Sequence, residues 1–562
     1  MRKTGKIYIH FLFLMVLCIP ADISFSQELK NINLKERFSV ITDRSLYTAD
    51  EYIYFTVCEA SSSDIAEEGL SKVLYVDLIS PDGQIVKSSK YPFHNRKTHS
   101  AIRIPAETPS GTWYLRVYSK WLRNYEVNDM SYASVKIVNP ATLDHLPVDT
   151  KAGDDYVLSF EDKQDRIEGL TIFTDKDEYG KREEVSLILE NLYGNSISEF
   201  SLSVVPAAAA MNQIKNIPNG TYIEKNPDFL PEIRELSLSG KVRNVNTGEF
   251  EPFAHVFLTL LDPERNFYPG ITDSSGSFNF SLPPYTGKRD LFISVRGEQG
   301  DSLEVLVDND FAAEHKPLPS TRLDLDSTEY ALALEIIRNQ QLKAQYYPDT
   351  FQYEEESRDE VPFYGEPARS VEISEYIDLP NLEEYFLELL PMVRVIRSQG
   401  RLAFRINGPQ AEMNIYDPAV MVDGVAMHDN KAVLEIDPRR IRKIDVINRP
   451  YLRGDVLFGG IISILSREDD FAGVDLPGSG LFLTYRFYEP GADPPQSFLP
   501  EEKNLPDPRN TLYWNPSLIL KRGEEKQIKF RTSDNSGKYK IIVSGVNEEG
   551  KVVRNTSEFR VE

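Results

Sequence analysis

The 562-residue chain is 41% hydrophobic and carries 87 acidic against 63 basic residues, a formal charge of −24. That balance argues against a nucleic-acid binder, whose affinity comes largely from Lys and Arg on phosphates, and against adsorption to anionic headgroups. Two cysteines, Cys18 and Cys58, leave no room for a disulfide framework, and the length supplies material for about three to five cores.

Arg2, Lys3 and Lys6 precede an apolar run from Ile7 to Ile19, broken only by His10 and stopped by Pro20. Ser24-Phe25-Ser26 then offers small residues at the positions a signal peptidase reads, so residues 1–26 read as a signal peptide cleaved before Gln27. An uncleaved anchor is the alternative, but about 13 apolar residues fall short of the roughly 20 that span a bilayer. A lipoprotein reading through Cys18 is disfavoured by the large Leu17 before it. Elsewhere no segment is apolar enough to cross a membrane as a helix, and the expectation is a mature chain that is soluble or peripheral.

Residues 38–140 alternate β-branched and aromatic stretches with turn signals. Tyr52–Val57, Val73–Ile79 and Thr112–Tyr118 are strands, and Ser80-Pro81-Asp82-Gly83 and Pro109-Ser110-Gly111 are turns. This reads as one β-sandwich. Thr42-Asp43-Arg44, Tyr47 and Glu51 recur as Thr174-Asp175-Lys176, Tyr179 and Glu183 at a constant offset of 132 residues. Residues 168–230 are therefore expected to repeat the first sandwich, after an acidic connector from Asp144 to Gly169.

Residues 236–310 form a third β unit with a hairpin turn at Ser275-Gly276. A helical connector spans 320–346, with Tyr330, Leu334, Ile337 and Leu342 on roughly one face. Tyr346 to Arg369 reads as an acidic linker, 372–471 as a mixed α/β unit, Gly473 to Pro508 as a Pro/Gly-rich connector, and 509–562 as a small C-terminal β domain. The fold class is mainly β: tandem β-sandwiches with one α/β unit.

No His-Glu-x-x-His, Gly-x-Ser-x-Gly or phosphate-cradling Gly-Lys-Ser/Thr motif is present. His94 and His99 sit in a polar loop with Asn95, Arg96 and Lys97, where solvated side chains outweigh a metal pair. Asp423-Gly424 with His428 and Asp429 reads as a strand–turn–strand with Gly in a left-handed position rather than a calcium or catalytic site. Trp113, Trp121, Tyr114 and Tyr118 read as sandwich core and rim, and Cys58 as a small buried hydrophobe. Catalytic, cofactor-binding and metal-ligating residues: none is assigned.

Three resemblances rest on these residues. The first sandwich, through Thr42-Asp43-Arg44, Tyr47, Glu51 and Ser110–Tyr118, resembles the macroglobulin-type domain of the alpha-2-macroglobulin superfamily. The third unit, through Gly240-Lys241-Val242 and Thr272–Phe278, resembles the carboxypeptidase regulatory-like domain, a transthyretin-like sandwich. The α/β unit resembles the plug of TonB-dependent receptors, through Val420–Val425, Leu434–Ile447, Tyr451-Leu452-Arg453-Gly454 and Phe458–Ile464. Only 91 residues follow Phe471, whereas a 22-strand barrel needs over about 200; the resemblance implies a plug without its pore. Arg296-Gly297-Glu298-Gln299 matches a macroglobulin thioester except that Arg stands where the cysteine must be, which removes that chemistry.

Together the resemblances imply a non-enzymatic protein of a Gram-negative periplasm, peripheral to the outer membrane. It would be a scaffold or adaptor whose partner is an outer-membrane β-barrel protein or complex, with no nucleic acid, no cofactor and no membrane span of its own. The alternatives are a module binding a glycan or peptide in a cleft between domains, with Tyr346, Tyr347 and Tyr353 as the aromatics to follow, and an accessory to a TonB-dependent transporter. No TonB-box can be picked out near Gln27.

Overall fold

The computed structural model describes residues 35–59, 69–142, 144–146, 160–161, 166–192, 197–210, 214–215, 227–261, 265–296, 302–315, 317–319, 323–347, 362–398, 401–410, 413, 415–497, 504–547 and 552–562. Residues 1–26, read above as a signal peptide, Tyr353 and most of the two acidic connectors lie outside the described residues. Mainly β structure is what the described residues show.

In the first sandwich, strands Phe38–Thr42, Tyr52–Glu59 and Lys97–Arg103 form one sheet. Strands Ile85–Pro92, Val73–Ile79, Gly111–Tyr118 and Ser131–Val138 form the other, with Leu46–Thr48 parallel to the last. Ile53, Phe55 and Val57 alternate into the core and are fully buried, while Tyr52 and Tyr54 turn outward, as the two-residue period of a strand requires. Trp113 and Tyr118 are also fully buried. Strand Val73–Ile79 is buried along its whole length because a further domain covers its outer side.

That cover is the third sandwich, held by ionic contacts. Arg116 and Asp77, neither exposed, pair at 2.6 Å, and Arg116 also donates to the carbonyls of Ala312 (2.8 Å) and Glu314 (2.7 Å). Asp310 takes Lys90 at 2.6 Å and Lys120 at 3.2 Å. Burial alone would push Asp310 up, but the two ammonium groups outweigh it and hold the carboxyl below its usual range.

The second and C-terminal β units are one domain, which corrects the reading of 509–562 as a domain of its own. Strand Glu184–Asn191 pairs with Leu170–Thr174 on one side and with Glu525–Arg531 on the other. Facing them is a sheet ordered Glu178–Tyr179, Val552–Val561, Gly537–Val546, Ile197–Pro206 and Tyr513–Lys521. Two sheets are closed by strands more than 300 residues apart in sequence, because neither half has enough strands to bury its apolar face.

A second closure is nested inside the first. The third sandwich sets Ser277–Ser281, Ser237–Asn244 and Leu303–Val307 against Asn266–Ile271, His255–Leu260, Lys288–Arg296 and Leu481–Arg486. The last strand lies in the stretch read as a Pro/Gly-rich connector; it pairs with Lys288–Arg296 and brings in buried Tyr485, Phe487 and Tyr488. The α/β unit thus sits between two paired strands of the third sandwich. The third sandwich in turn sits between two paired strands of the second.

In the α/β unit, a five-stranded sheet runs Arg369–Glu372, Ile441–Ile447, Ile461–Ser466, Ala419–Val422, Val425–Ala426. Ala419–Val422 and Ile461–Ser466 are parallel, and both are near-continuous apolar runs, as strands covered on both faces tend to be. Phe363 and Tyr364, expected in a linker, instead pack with Phe257, Phe267 and Phe458 between this unit and the third sandwich.

Helix α1 (Ser327–Tyr346) starts at a capping box. Asp326 accepts from the Thr328 and Glu329 amides, and Glu329 accepts from the Asp326 amide at 3.1 Å. Its buried face is Leu332, Ala333, Ile336 and Asn339, packed on Leu46 and Ala209, whereas Tyr330 and Leu334 are 59% and 52% exposed. Of the stripe expected from the sequence, Tyr330 and Leu334 therefore face outward, while Ile337 and Leu342 are half-buried. The stripes starting at 330 and 332 both keep helical spacing, and small Ala333 against Ala209 permits the closer approach.

Candidate binding surfaces

The repeated motif folds the same way twice. In the first copy the Tyr47 hydroxyl donates to Asp43 Oδ1 at 2.7 Å and accepts the Arg44 amide at 3.2 Å; Tyr179 does the same with Asp175 (2.7 Å) and the Lys176 amide (3.0 Å). Thr42 and Thr174 each donate to the carbonyl two residues on, at 2.8 and 2.7 Å. Arg44 pairs with Glu51 and Lys176 with Glu183, and each glutamate also accepts a backbone amide, from Thr48 and Gly180. The aspartates accept from Tyr54 and Ser186, 132 residues apart. Such a turn needs an acceptor, a phenol and a cation–carboxylate clasp at fixed spacing, which is why the spacing recurs.

What differs is the cover. Asp43 and Arg44 are buried beneath Asn510 and Thr511: Thr511 donates to Asp43 Oδ2 at 2.7 Å and Asn510 to Glu51 Oε1 at 2.8 Å. Asp175 and Lys176 are exposed. Burial would raise Asp175, but the bonds from Tyr179 and the Ser186 amide outweigh it and hold the carboxyl below its usual range.

Beside the covered copy lies a cleft of about 840 Å³ between the first sandwich, helix α1 and residues 492–497 and 508–511. Tyr52, Tyr54 and Tyr347 line it, with Asn339, Gln340 and Asp493 among its polar groups. Tyr54 donates to the Asp493 carbonyl at 2.8 Å and Tyr347 to the Pro506 carbonyl at 2.9 Å, which fixes both rings. Of the aromatics singled out in the sequence, Tyr347 lines this cleft and Tyr346 is 46% exposed. Tyr52 and Tyr54 were legible only as strand residues, because the opposite wall comes from residues more than 400 positions away.

Asp423 and Gly424 have φ of +47° and +81°, so the pair turns the hairpin between Ala419–Val422 and Val425–Ala426 as a two-residue loop with left-handed centres. The buried Asp423 carboxylate accepts the amides of Ser466 (2.8 Å) and Phe471 (2.9 Å) and the Ser466 hydroxyl (2.6 Å); Arg265 of the third sandwich reaches it at 3.2 Å. Its acceptor capacity is spent on the fold. Asp429 caps helix α3 (Asn430–Leu434; the helix over Leu382–Leu389 is α2), and His428 packs edge-on against Phe257, where burial and then Arg296 push it down to about 4.

His94 lies in the turn before strand Lys97–Arg103 and His99 within that strand; both are exposed. Cys58 is half-buried, and burial pushes its thiol up to about 11. Arg296 ends strand Lys288–Arg296, and the rest of that tetrapeptide lies outside the described residues. Among the described residues no group of three or more His, Cys, Asp or Glu is arranged to hold a metal ion, and no helix is long and apolar enough to cross a membrane.

Among the described residues the α/β unit carries four of the five most exposed large hydrophobic side chains. Ile377, Ile415, Leu387, Phe253 and Leu452 are 68–81% exposed, and all but Phe253 belong to that unit.

No protein-family model matches the chain, and no curated protein matches it. Among solved structures there is distant similarity over most of the chain to bacterial alpha-2-macroglobulins. For the Salmonella protein reacted with methylamine, identity is 9%, coverage 94% of this chain and 39% of that one, and the TM-score 0.23. For the Escherichia coli protein activated by porcine elastase the values are 10%, 94%, 44% and 0.23. The Yersinia pseudotuberculosis adhesin InvE is similar at 12% identity over 48% of this chain and 57% of its own, with a TM-score of 0.13. This chain spans less than half the length of those two macroglobulins.

Proposed function

We propose that the chain is a non-catalytic binding scaffold of a bacterial envelope, acting in the periplasm and engaging an outer-membrane β-barrel protein or complex through its α/β unit. The observation that carries this reading is the placement of exposed apolar side chains. Strongly exposed large hydrophobic residues are candidates for an interaction surface, and four of the five most exposed among the described residues, Ile377, Leu387, Ile415 and Leu452, stand on a unit held by an aromatic interface to the third sandwich. The module is plug-like in its motifs and the third sandwich resembles a regulatory-like domain; both likenesses support a protein that presents β modules rather than performs chemistry.

The test is photo-crosslinking in cells from positions 387 and 452, with position 538 in the second sandwich as the control. Adducts to one outer-membrane protein from 387 and 452 but not from 538 are expected. Uniform labelling, or none from the α/β unit, would sink the reading.

The cleft beside α1 supports a second reading, a ligand module for a glycan or peptide. Its volume lies within the range of small-molecule sites, and three tyrosines offer faces beside amide and carboxylate groups. A ligand that raises the melting temperature of the intact chain but not of Tyr52→Ala is the expected sign. A broad glycan and peptide panel without any shift would remove this reading.

A further inference from the structure

The repeat extends from the motif to the sheet around it. At the 132-residue offset, Ile41 corresponds to Phe173 and Thr56 to Ile188. The two copies share their register: Ile41 pairs with Thr56 and Thr56 with His99, while Phe173 pairs with Ile188 and Ile188 with Gln527. Both rows lie on the sheet face turned away from the core of their own sandwich.

In the first sandwich that face is occupied by the edge of the second. Thr56 donates to the Pro516 carbonyl at 3.2 Å, Lys97 reaches Glu199 at 2.7 Å, and Thr511 and Asn510 cap the motif; Ile41 and Thr56 are left 3% and 1% exposed. In the second sandwich the same face is open. Phe173 is 40% exposed, and Thr171, Gln527, Lys529 and Arg531 are exposed around it. Among the described residues strand Leu170–Thr174 is also an edge, with neither a charged residue nor a proline in a chain that is 27% charged. Edge strands with a free side normally carry such protection.

We infer that this face of the second sandwich is a docking surface for the edge of a β-sandwich from a partner protein, received as the first sandwich receives strand Tyr513–Lys521. The incoming edge would lie across Phe173 and Ile188. A hydroxyl or amide donor just ahead of it would meet the Asp175 and Glu183 carboxylates, as Thr511 and Asn510 meet Asp43 and Glu51. A second copy is a poor occupant, because its own Tyr513–Lys521 already lies on its own first sandwich. The inference deepens the scaffold reading by naming a partner class, yet it rests on a different face from the α/β unit, so crosslinks from 387 and 452 can fail while this one stands.

The test uses the full chain and, as probe, a synthetic peptide of residues Pro508–Lys521, the segment that covers the first copy. A photo-crosslinking residue at position 173 or 527 is expected to capture the peptide saturably, and one at position 538 is not. Asp175→Ala should weaken capture by about tenfold, the scale of one hydrogen bond to a charged acceptor. A peptide with Asn510→Ala and Thr511→Val should weaken it similarly. Phe173→Asp, at an exposed position, tests the apolar contact with an unchanged melting temperature as the folding control. Equal capture of a scrambled peptide, capture indifferent to Asp175→Ala, or no capture from 173 and 527 would each overturn the inference. So would sedimentation showing a dimer that Phe173→Asp dissociates, since the occupant would then be a second copy.

Discussion

Arg44 and Lys176 hold the same place in two copies of one motif, clasp equivalent glutamates and differ in almost every energetic respect. The Arg44 side chain is 4% exposed and its guanidinium lies over the Tyr47 ring at 4.4 Å; the Lys176 side chain is 54% exposed. Local hydrogen bonding is common to both, so the motif builds the turn, and what lies on top decides how much each charge matters. A buried pair that loses one member leaves an uncompensated charge out of water, whereas an exposed pair is screened.

Arg44→Ala should therefore cost about 3–5 kcal/mol of stability, measured by denaturant unfolding. Lys176→Ala should leave the unfolding midpoint unchanged, and equal losses at the two sites would break the comparison.

A second contrast lies at the far end of the same strands. Glu59 and Asn191 are equivalent across the repeat and both are buried. Burial first, then neighbouring Glu36, push Glu59 up to about 7 against opposition from Arg96 and Lys72. A carboxyl whose folded pKa is raised binds its proton more tightly in the native state. Stability should therefore fall as pH rises from about 4.5 to about 7, by about 2 kcal/mol after allowing for screening. Glu59→Gln, which copies the neutral amide of the second sandwich, should flatten that slope in a pH series of unfolding curves. An unchanged slope would show that folding does not raise the Glu59 pKa.

The smallest effects concern the shared phenol. Tyr47→Phe should cost about 1–3 kcal/mol, because buried Asp43 loses a donor that water cannot replace. Tyr179→Phe should cost about 0.5–1 kcal/mol, since water reaches Asp175. Matching melting-temperature losses would mean that the cover over the first copy contributes little.

The strands of the first sandwich could be read from the chain because each is an alternating run bounded by its own turn, and its partners lie nearby in sequence. Gln527-Ile528-Lys529-Phe530 was equally legible as a strand, but nothing in it says that Glu184–Asn191 lies alongside; pairing at that distance leaves no local pattern. Leu481–Arg486 was hidden by the glycines and prolines around it. The expected stripe of α1 misled because two stripes have equal spacing and the buried one includes Ala333 and Asn339, which carry little apolar signal. Of the candidate surfaces, the motif and Tyr347 were visible beforehand. The open face around Phe173 was not, because exposure on a sheet depends on what else in the molecule comes to lie there.

The nesting of the chain prescribes an order of assembly. Strand Glu184–Asn191 cannot gain its second neighbour until residues 525–531 arrive, about 340 positions later, a closure costing on the order of 5 kcal/mol in chain entropy if everything between is loose. Once the α/β unit has formed, the loop between the paired strands Lys288–Arg296 and Leu481–Arg486 is shortened by the length of that unit. Once the third sandwich has closed on that pair, the remaining loop is effectively about 85 residues, and the cost drops by roughly 1.2 kcal/mol. The cheapest route runs from the innermost unit outward, and the second sandwich is completed last.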